Sequence, residues 1–256
     1  MTHISGPAGM LFVDDGGDGA DGAPVVFVHS LAGQAGQWAA QLTHLRGRRR
    51  AVALELRGHG RSDAPRDGDY AIASLAADVA AVQQALGLER VVLVGHSLGG
   101  TVALACAAAQ PATVAGLLLV DPNGDLSLVP AGERAEFVRA FEAPGFSRTH
   151  WIRITEGGTA AVRAAVLRDL EATPPATLVQ SIKALAAYRP VPALARYGGP
   201  RLSLISALNE NPIGLHRLAP DLPYRLVPGT GHWIHMDRPE EFNRLMDGFL
   251  ARIAGS

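Results

Sequence analysis

Four short apolar runs, at residues 25–28, 51–54, 91–94 and 117–120, constrain the fold of this chain more than any other feature. Their length and their β-branched residues predict strands. The hydrophobicity in each run is continuous rather than alternating, which is typical of a strand covered on both faces. Helical patterns lie between the runs, at residues 38–45, 75–86 and 99–109. This alternation predicts an α/β fold with a mostly parallel central sheet flanked by helices.

The pattern changes after residue 120. Between residues 122 and 199 there is no comparable strand, and helical stretches separated by prolines take its place. Strand patterns return at residues 201–205 and 224–227, and an amphipathic helix over residues 239–253 follows. We therefore expect a core domain made of residues 1–121 and 200–256, interrupted by a helical cap (lid) insertion over residues 122–199.

Composition excludes several classes of protein. Hydrophobic residues make up 48% of the 256 residues and charged residues 18%, which predicts a sizeable buried core rather than disorder. A formal net charge of -1 argues against a nucleic-acid partner. No signal peptide or membrane span is visible, so we expect a cytoplasmic protein. Cys106 is the only cysteine, which excludes an internal disulfide and a cysteine-based zinc site. We expect no metal and no cofactor.

Two charged patches have simple structural interpretations. Residues 14–22 are almost entirely aspartate and glycine, and their spacing does not fit a calcium-binding loop. Glycine and aspartate supply the positive φ angles of tight turns, so this patch predicts a solvated hairpin turn. Residues 46–50 carry four arginines beside a predicted strand, which predicts a solvated edge.

The strongest chemical signal is Gly95-His96-Ser97-Leu98-Gly99, which directly follows one predicted strand and directly precedes a helix. In that position a G-x-S-x-G string predicts a sharp turn that presents the serine hydroxyl at the carboxyl edge of the sheet. The helix that follows favours negative charge at the same place. The sequence therefore predicts that Ser97 is a nucleophile, with helix capping as the structural alternative.

A serine hydroxyl needs a base within hydrogen-bond reach, and the chain has nine histidines. His232 lies between the last predicted strand and the last helix, so its loop returns to the same edge of the sheet. His235 could compete, although a packed or exposed imidazole is the simpler interpretation. His96 should point away from its neighbour on a tight turn, and His59 in a glycine-rich turn is expected to be structural.

Over nearly its whole length the chain resembles the α/β-hydrolase family. The matching features are the strand that ends at His29, the run Arg57-Gly58-His59-Gly60-Arg61-Ser62, the turn at Ser97, and the later Gly231-His232. The resemblance implies an oxyanion hole formed by the backbone N–H groups of Leu98 and Leu31. Where relatives often have glycine this chain has Ser30, whose hydroxyl could add a third donor.

The carboxylate that should orient His232 is not obvious. In most relatives it follows the strand before the last one, and there the resemblance aligns Asn209, which carries no charge. Glu210 is adjacent to that position. Some relatives place the acid one strand earlier, where this chain has Asp121. We therefore expect Asp121 to be the orienting acid, with Glu210 and Asp125, or no acid at all, as alternatives.

These features predict a serine hydrolase that cleaves a carboxylic ester or lactone. The aromatic residues of the insertion suggest a small apolar substrate, with Ser30, Trp151 and Trp233 as candidate contacts. No arginine pair in the insertion clearly demands an anionic substrate, although Arg148 and Arg153 leave one open. Hydrolysis of carbon–carbon bonds, perhydrolysis and acyl transfer use the same fold. A weakly catalytic small-molecule receptor is the alternative from a different class. The sequence is compatible with a monomer or a homodimer.

Overall fold

The computed structural model describes residues 1–254, and eight strands in them form one sheet. The strands are β1 (Thr2–Gly6), β2 (Gly9–Ala20), β3 (Val25–Val28), β4 (Arg49–Leu54), β5 (Val91–His96), β6 (Val114–Val120), β7 (Arg201–Ile205) and β8 (Tyr224–Leu226). Their order is β1-β2-β4-β3-β5-β6-β7-β8, with β3 to β8 parallel and with β1 and β2 antiparallel to their neighbours. The predicted α/β fold with a mostly parallel sheet is confirmed.

Helices connect the strands on both faces of the sheet. They are α1 (Ala39–Arg46), α2 (Ile72–Ala85), α3 (Leu98–Ala109), α4 (Ala131–Ala140), α5 (Phe146–Ile154), α6 (Ala160–Ala172), α7 (Pro175–Ala187), α8 (Pro190–Leu194), α9 (Leu215–Leu218), α10 (Ile234–Asp237) and α11 (Pro239–Ala254). Each helix predicted from the sequence pattern is present. The pattern missed the strands β1 and β2 and the short helices α5, α8, α9 and α10.

The central strands are fully buried because helices cover both of their faces. On one face, β3 and β5 pack against α1 and α11, through large side chains such as Trp38, Phe242 and Met246. On the other face, they pack against α2 and α3, where Val79 and Val102 are fully enclosed. Burial on both sides is why the strand sequences are continuously apolar.

The aspartate- and glycine-rich patch is not a hairpin turn, and that prediction is wrong. Most of it belongs to β2, which pairs with β4 and carries a bulge between Gly16 and Ala20. The basic run lies alongside: Arg46 contacts Asp14 at 2.9 Å, and Arg50 contacts Asp15 at 2.8 Å. Each patch looks solvated when it is considered alone, but the two neutralise each other beside the paired strands β2 and β4, neither of which is an edge strand.

Helices α4 to α8 all lie between β6 and β7. Side chains tie them to the rest of the protein. Asp169 on α6 accepts hydrogen bonds from Gln34 at 2.5 Å and from Gln37 at 2.7 Å, and Thr177 on α7 bonds the hydroxyl of Tyr70 at 2.9 Å. Within the described chain, no helix is both long enough and apolar enough to cross a lipid bilayer.

Parallel strands bring their carboxyl ends to the same edge of a sheet, and ligands bind at that edge in open α/β folds. Here His29 follows β3, Ser97 follows β5, Asp121 follows β6 and Ser206 follows β7. His232 lies on the loop between β8 and α10. Five residues far apart in the chain are therefore delivered to one rim.

Candidate active site

Ser97 occupies a strained turn between β5 and α3. Its φ is 53° and its ψ is -115°, in the half of φ space that side-chain-bearing residues rarely adopt. The flanking glycines permit the turn, because a Cβ on Gly95 would lie 2.2 Å from the carbonyl oxygen of Gly99, and one on Gly99 would lie 2.2 Å from that of Val28. The Ser97 N–H donates to Val120 at 3.0 Å, which anchors the turn to β6. The strain is thus held by the surrounding structure, as is typical of functional sites.

His232 contacts a buried carboxylate. Its Nδ1 lies 2.6 Å from Oδ2 of Asp121, whose side chain is 0% exposed. Because a carboxylate only accepts hydrogen bonds, Nδ1 carries the proton and donates it to Asp121. This tautomer leaves the lone pair on Nε2, which is the nitrogen that a general base must present to a hydroxyl.

Two further donors hold the Asp121 carboxylate in place. The Ser206 N–H donates to Oδ1 at 2.6 Å, and the Ser206 hydroxyl donates to Oδ2 at 2.9 Å. Asp121 itself has a φ of 44°, a second strained position at this rim. Hydrogen bonds to the ionised form compensate for the cost of burying a carboxylate. The acid is therefore fixed by the neighbouring strand β7 as well as by its own.

The loop that carries His232 is fixed on two sides. Its N–H donates to the carbonyl of Ile154, at the end of α5, at 3.0 Å. Its own carbonyl accepts a hydrogen bond from Nε2 of His96 at 2.9 Å. Burial lowers the pKa of His96 well below its usual value, so that ring is neutral and can act as a fixed donor. The ring centroids of His96 and His232 lie 4.6 Å apart.

Two backbone N–H groups next to the rim residues have no hydrogen-bond partner among the described residues. No hydrogen bond among residues 1–254 uses the N–H of Leu31 or of Leu98, which is the first residue of α3. His29 stabilises the loop before Leu31: its Nδ1 donates to the Ser30 carbonyl at 2.7 Å, and its Nε2 accepts from the Leu56 N–H at 2.9 Å. Burial lowers the pKa of His29 to about 4, so it stays neutral and both bonds persist at neutral pH. Two free donors on rigid elements can stabilise a developing negative charge.

A cavity of about 270 Å³ connects these groups. Ser30, Leu31, Ser97, His232 and Trp233 line it from the sheet edge. The hydroxyl of Ser30 is buried and has no hydrogen-bond partner in the described chain. The Ser97 hydroxyl also makes no hydrogen bond within residues 1–254, so it remains free to rotate.

Helices α4, α5 and α7 close the cavity from above. They contribute the apolar side chains of Phe137, Phe141, Trp151, Ile182 and Leu185 to its wall. The aromatic rings pack edge to face, with centroids 5.3 Å apart for Phe137 and Phe141 and 6.4 Å for Phe141 and Trp151. Trp151 is 3% exposed and so belongs both to the helical packing and to the cavity wall. The site can accommodate an apolar group above Ser97.

The alternative acids lie elsewhere. Glu210 is 42% exposed and pairs with Arg217 at 2.9 Å. Asp125 caps a short 3-10 helix, where Oδ1 accepts from the backbone N–H and the hydroxyl of Ser127. Asn209 lines the cavity and donates to the Pro122 carbonyl at 3.3 Å. None of these three side chains makes a hydrogen bond to His232 within the described residues.

The alternative histidines are buried and packed. The ring of His235 stacks on that of Trp38 with centroids 4.0 Å apart, and burial lowers the pKa of His235 to about 3. His59 donates from Nδ1 to the Arg57 carbonyl at 3.0 Å, and burial lowers its pKa also to about 3. Within residues 1–254, no group of three or more histidine, cysteine, aspartate or glutamate side chains is arranged to hold a metal ion.

Sequence reasoning missed several residues of this rim. The roles of Ser206 and His29 were not anticipated, although each directly follows a strand that ends at the rim. His150 on α5 also lines the cavity and was not anticipated, and the helix that brings it there together with Arg153 was not predicted. The usable signal was position: a polar residue just after a buried strand faces the ligand-binding edge of the sheet.

Comparison with known proteins identifies the family. A family model described as the alpha/beta hydrolase fold matches residues 23–239. The chain therefore belongs to the α/β-hydrolase fold family.

Individual relatives match the chain over only part of its length or at low sequence identity. A RutD protein of Variovorax paradoxus (strain S110), which is named for a carbamate hydrolase activity, is 45% identical over 103 residues, covering 40% of this chain and 39% of the relative. The chain thus matches only about two fifths of that relative's length. Among solved structures, a thermophilic esterase from Thermogutta terrifontis has a TM-score of 0.85 at 24% identity, covering 99% and 98% of the two chains. An enol-lactonase from Burkholderia xenovorans LB400 has a TM-score of 0.84 at 21% identity, covering 98% and 100%. The two structures share the fold.

Proposed function

We propose that the protein is a serine hydrolase that cleaves a carboxylic ester or lactone through an acyl-enzyme intermediate. The observation that carries the proposal is the 2.6 Å contact between Asp121 Oδ2 and His232 Nδ1 beside a cavity that also contains Ser97. Ser97 acts as the nucleophile, His232 as the general base and Asp121 as the orienting acid. The backbone N–H groups of Leu31 and Leu98 form the oxyanion hole.

Acylation starts when the Ser97 hydroxyl rotates toward His232, a contact that commonly tightens only when substrate binds. Ser97 Oγ attacks the carbonyl carbon while Nε2 of His232 takes the hydroxyl proton. The oxyanion accepts hydrogen bonds from Leu31 and Leu98, and each such donor is worth about 3–4 kcal/mol in comparable enzymes. The imidazolium is stabilised by Asp121, and it then gives its proton to the departing alkoxide as the carbon–oxygen bond breaks.

Deacylation repeats these steps with water. His232 takes a proton from a water molecule, whose oxygen attacks the acyl carbon, and the same two backbone donors hold the second oxyanion. The proton returns to Ser97 Oγ as the ester bond to the enzyme breaks, which releases the carboxylic acid. An ester or lactone suits this site because an alkoxide needs less protonation than an amine to leave.

The apolar wall supports a small apolar substrate, with Trp151 and Trp233 in contact with it and Ser30 near the oxyanion. We further propose that residues 122–199 act as a cap over a core of residues 1–121 and 200–256. The position of α4, α5 and α7 above Ser97 supports this division. No cofactor takes part in the proposed mechanism.

The experiment compares wild type, Ser97→Ala and Ser203→Ala on 4-nitrophenyl acetate, butyrate and octanoate. We expect Ser97→Ala to lower kcat by about 10⁴-fold or more. Ser203 is a matched control because its hydroxyl is fully buried in β7, away from the cavity lining. Phenylmethylsulfonyl fluoride should inactivate the wild type and add mass to the peptide that contains Ser97.

The alternatives predict different results. Wild-type protein that binds a small ligand but hydrolyses no ester would favour a receptor. Product analysis separates the related reactions, since acyl transfer yields a new ester and perhydrolysis yields a peracid when hydrogen peroxide is added. Carbon–carbon bond hydrolysis would release no alcohol. Equal activity in wild type and Ser97→Ala would refute the proposed nucleophile.

A further inference from the structure

The cavity above Ser97 carries a single permanent charge, that of Arg153 on α5. Among the described residues that line the cavity there is no other arginine, no lysine, and no aspartate or glutamate. We propose that the substrate carries a carboxylate group, in addition to its apolar body and its scissile ester, and that Arg153 binds this carboxylate. The inference rests on the proposed function, because it assigns a substrate class to that same site.

Arg153 is available for such a ligand. It forms no ion pair within residues 1–254, and its one side-chain hydrogen bond goes from Nη2 to Nδ1 of His150 at 3.1 Å. Arg148, on the same helix, instead pairs with Glu171 at 3.8 Å and does not line the cavity. The two arginines of α5 therefore differ in what neutralises them, and only the one at the cavity lacks an acidic partner.

His150 orients the Arg153 guanidinium. Burial, reinforced by the charge of Arg153, lowers the pKa of His150 to about 4, so its ring is neutral and accepts the hydrogen bond. The ring is wedged among aromatic side chains, with centroids 5.6 Å from Phe141 and 5.8 Å from Trp151. A guanidinium has five N–H donors in a rigid fork, so a bond to His150 leaves donors for both oxygens of a carboxylate.

Asp121 supplies the negative charge next to His232. Asp121 is 0% exposed, and Ser206 and His232 occupy its two oxygens. It therefore offers nothing to a ligand, and its charge disfavours an anion near His232. A substrate carboxylate would be attracted by Arg153 and repelled by Asp121. This difference would orient the substrate with its ester at Ser97.

The test uses pairs of esters that differ by one carboxylate. One pair is 4-nitrophenyl hexanoate and mono-4-nitrophenyl adipate, which places the charge on the acyl side. The other is phenyl butyrate and 3-carboxyphenyl butyrate, which places it on the leaving group. We expect wild type to prefer the carboxylate in one pair by about tenfold in kcat/KM, which is the value of one charge-assisted interaction.

The variants are Arg153→Gln, Arg153→Lys and the matched control Arg148→Gln. Arg153→Gln should reduce the preference to about one, mainly through KM, and Arg153→Lys should give an intermediate value because lysine keeps the charge but not the fork. Arg148→Gln should keep the wild-type preference. Added sodium chloride should lower the preference in wild type, because Arg153 is exposed and its charge is screened.

Two outcomes would overturn the inference: no carboxylate preference of wild type in either pair, or an unchanged preference in Arg153→Gln. Both presuppose that wild type cleaves the uncharged esters. If it cleaves none of them and Ser97 is not modified by phenylmethylsulfonyl fluoride, the proposed function itself has failed. The two failures are therefore distinguishable in one set of assays.

Discussion

The loops after β6 and β7 begin at the same rim of the sheet, yet one of them carries a buried carboxylate and the other an exposed one. Asp121, after β6, is fully buried and held by three hydrogen bonds. Glu210, after β7, is 42% exposed and pairs with the equally exposed Arg217. A charge must be desolvated and fixed before it can orient a partner strongly, because exposed ion pairs are screened by water.

The contrast also shows that the two loops depend on each other. The β7 loop presents no buried acid of its own, but it supplies the Ser206 N–H and hydroxyl that stabilise the Asp121 carboxylate. An acid placed after β6 therefore needs a donor placed after β7.

Acidification should unfold the protein and thereby remove the difference between the two loops. Burial lowers the pKa of His29 to about 4 and of His59 and His235 to about 3, against 6.5 for an ordinary histidine. Below pH 6.5 the unfolded chain therefore binds more protons than the folded one, and stability is lost as the pH falls toward those values. Each of these histidines lowers the free energy of unfolding by about 1.4 kcal/mol per pH unit. The three together would cancel a typical net stability within about two to three pH units.

Urea unfolding at pH 7.5, 6 and 5 measures this slope. His235→Phe serves as the comparison variant, because neither nitrogen of His235 has a hydrogen-bond partner in the described protein and its ring packs against the rings of Trp38, His96 and Phe242. We expect the free energy of unfolding of the variant to depend less steeply on pH, by about the contribution of one bound proton. The same slope in both proteins would contradict a neutral, buried His235.

Asp121→Asn should lower kcat by roughly 10²–10⁴-fold and leave KM nearly unchanged, because an amide can no longer fix the histidine tautomer or stabilise the imidazolium. Glu210→Gln is the matched change in the other loop and should stay within about twofold of wild type, as expected for an exposed surface charge. The assay is ester hydrolysis at pH 7.5. Near-wild-type activity of Asp121→Asn together with an inactive Glu210→Gln would show that Glu210, and not Asp121, orients the histidine.

Ser206→Ala should have a smaller effect, since it removes one donor to Asp121 but keeps the backbone N–H. A hydrogen bond to a charged group contributes about 1.5–3 kcal/mol, so we expect a loss of that order in the free energy of unfolding and a kcat lowered by about tenfold. Ser203→Ala, three residues earlier on β7, removes a buried hydroxyl that has no partner within residues 1–254, and it should be neutral or stabilising. Chemical denaturation of both variants measures the difference. Equal losses in the two would show that the hydroxyl of Ser206 does not stabilise the carboxylate.

Sequence reasoning was most reliable where the signal is local. A continuous apolar run predicted β3 with its observed bounds, because a strand covered on both faces is typically apolar at every position. The glycines around Ser97 indicated a turn that the backbone does adopt, since no larger residue fits there. Each of these features depends on only a few consecutive residues.

The sequence failed where distant segments meet. The aspartates of residues 14–22 carry every local sign of a turn, but pairing of β2 with β4 places Asp14 and Asp15 beside Arg46 and Arg50. Ladder hydrogen bonds and charge pairing outweigh local turn preference, and neither is visible without the partner strand. The position of Arg153 at the cavity likewise depends on a helix that the pattern did not reveal.

By itself the sequence determined the order of six of the eight strands along the chain, the sharp turn at Ser97 and a short set of candidate acids. Tertiary structure decided which carboxylate is buried against His232, which serine stabilises it, and which arginine faces the cavity. The physical reason is that burial and hydrogen bonding belong to pairs of residues, and here the pairs join positions 85 to 111 residues apart along the chain.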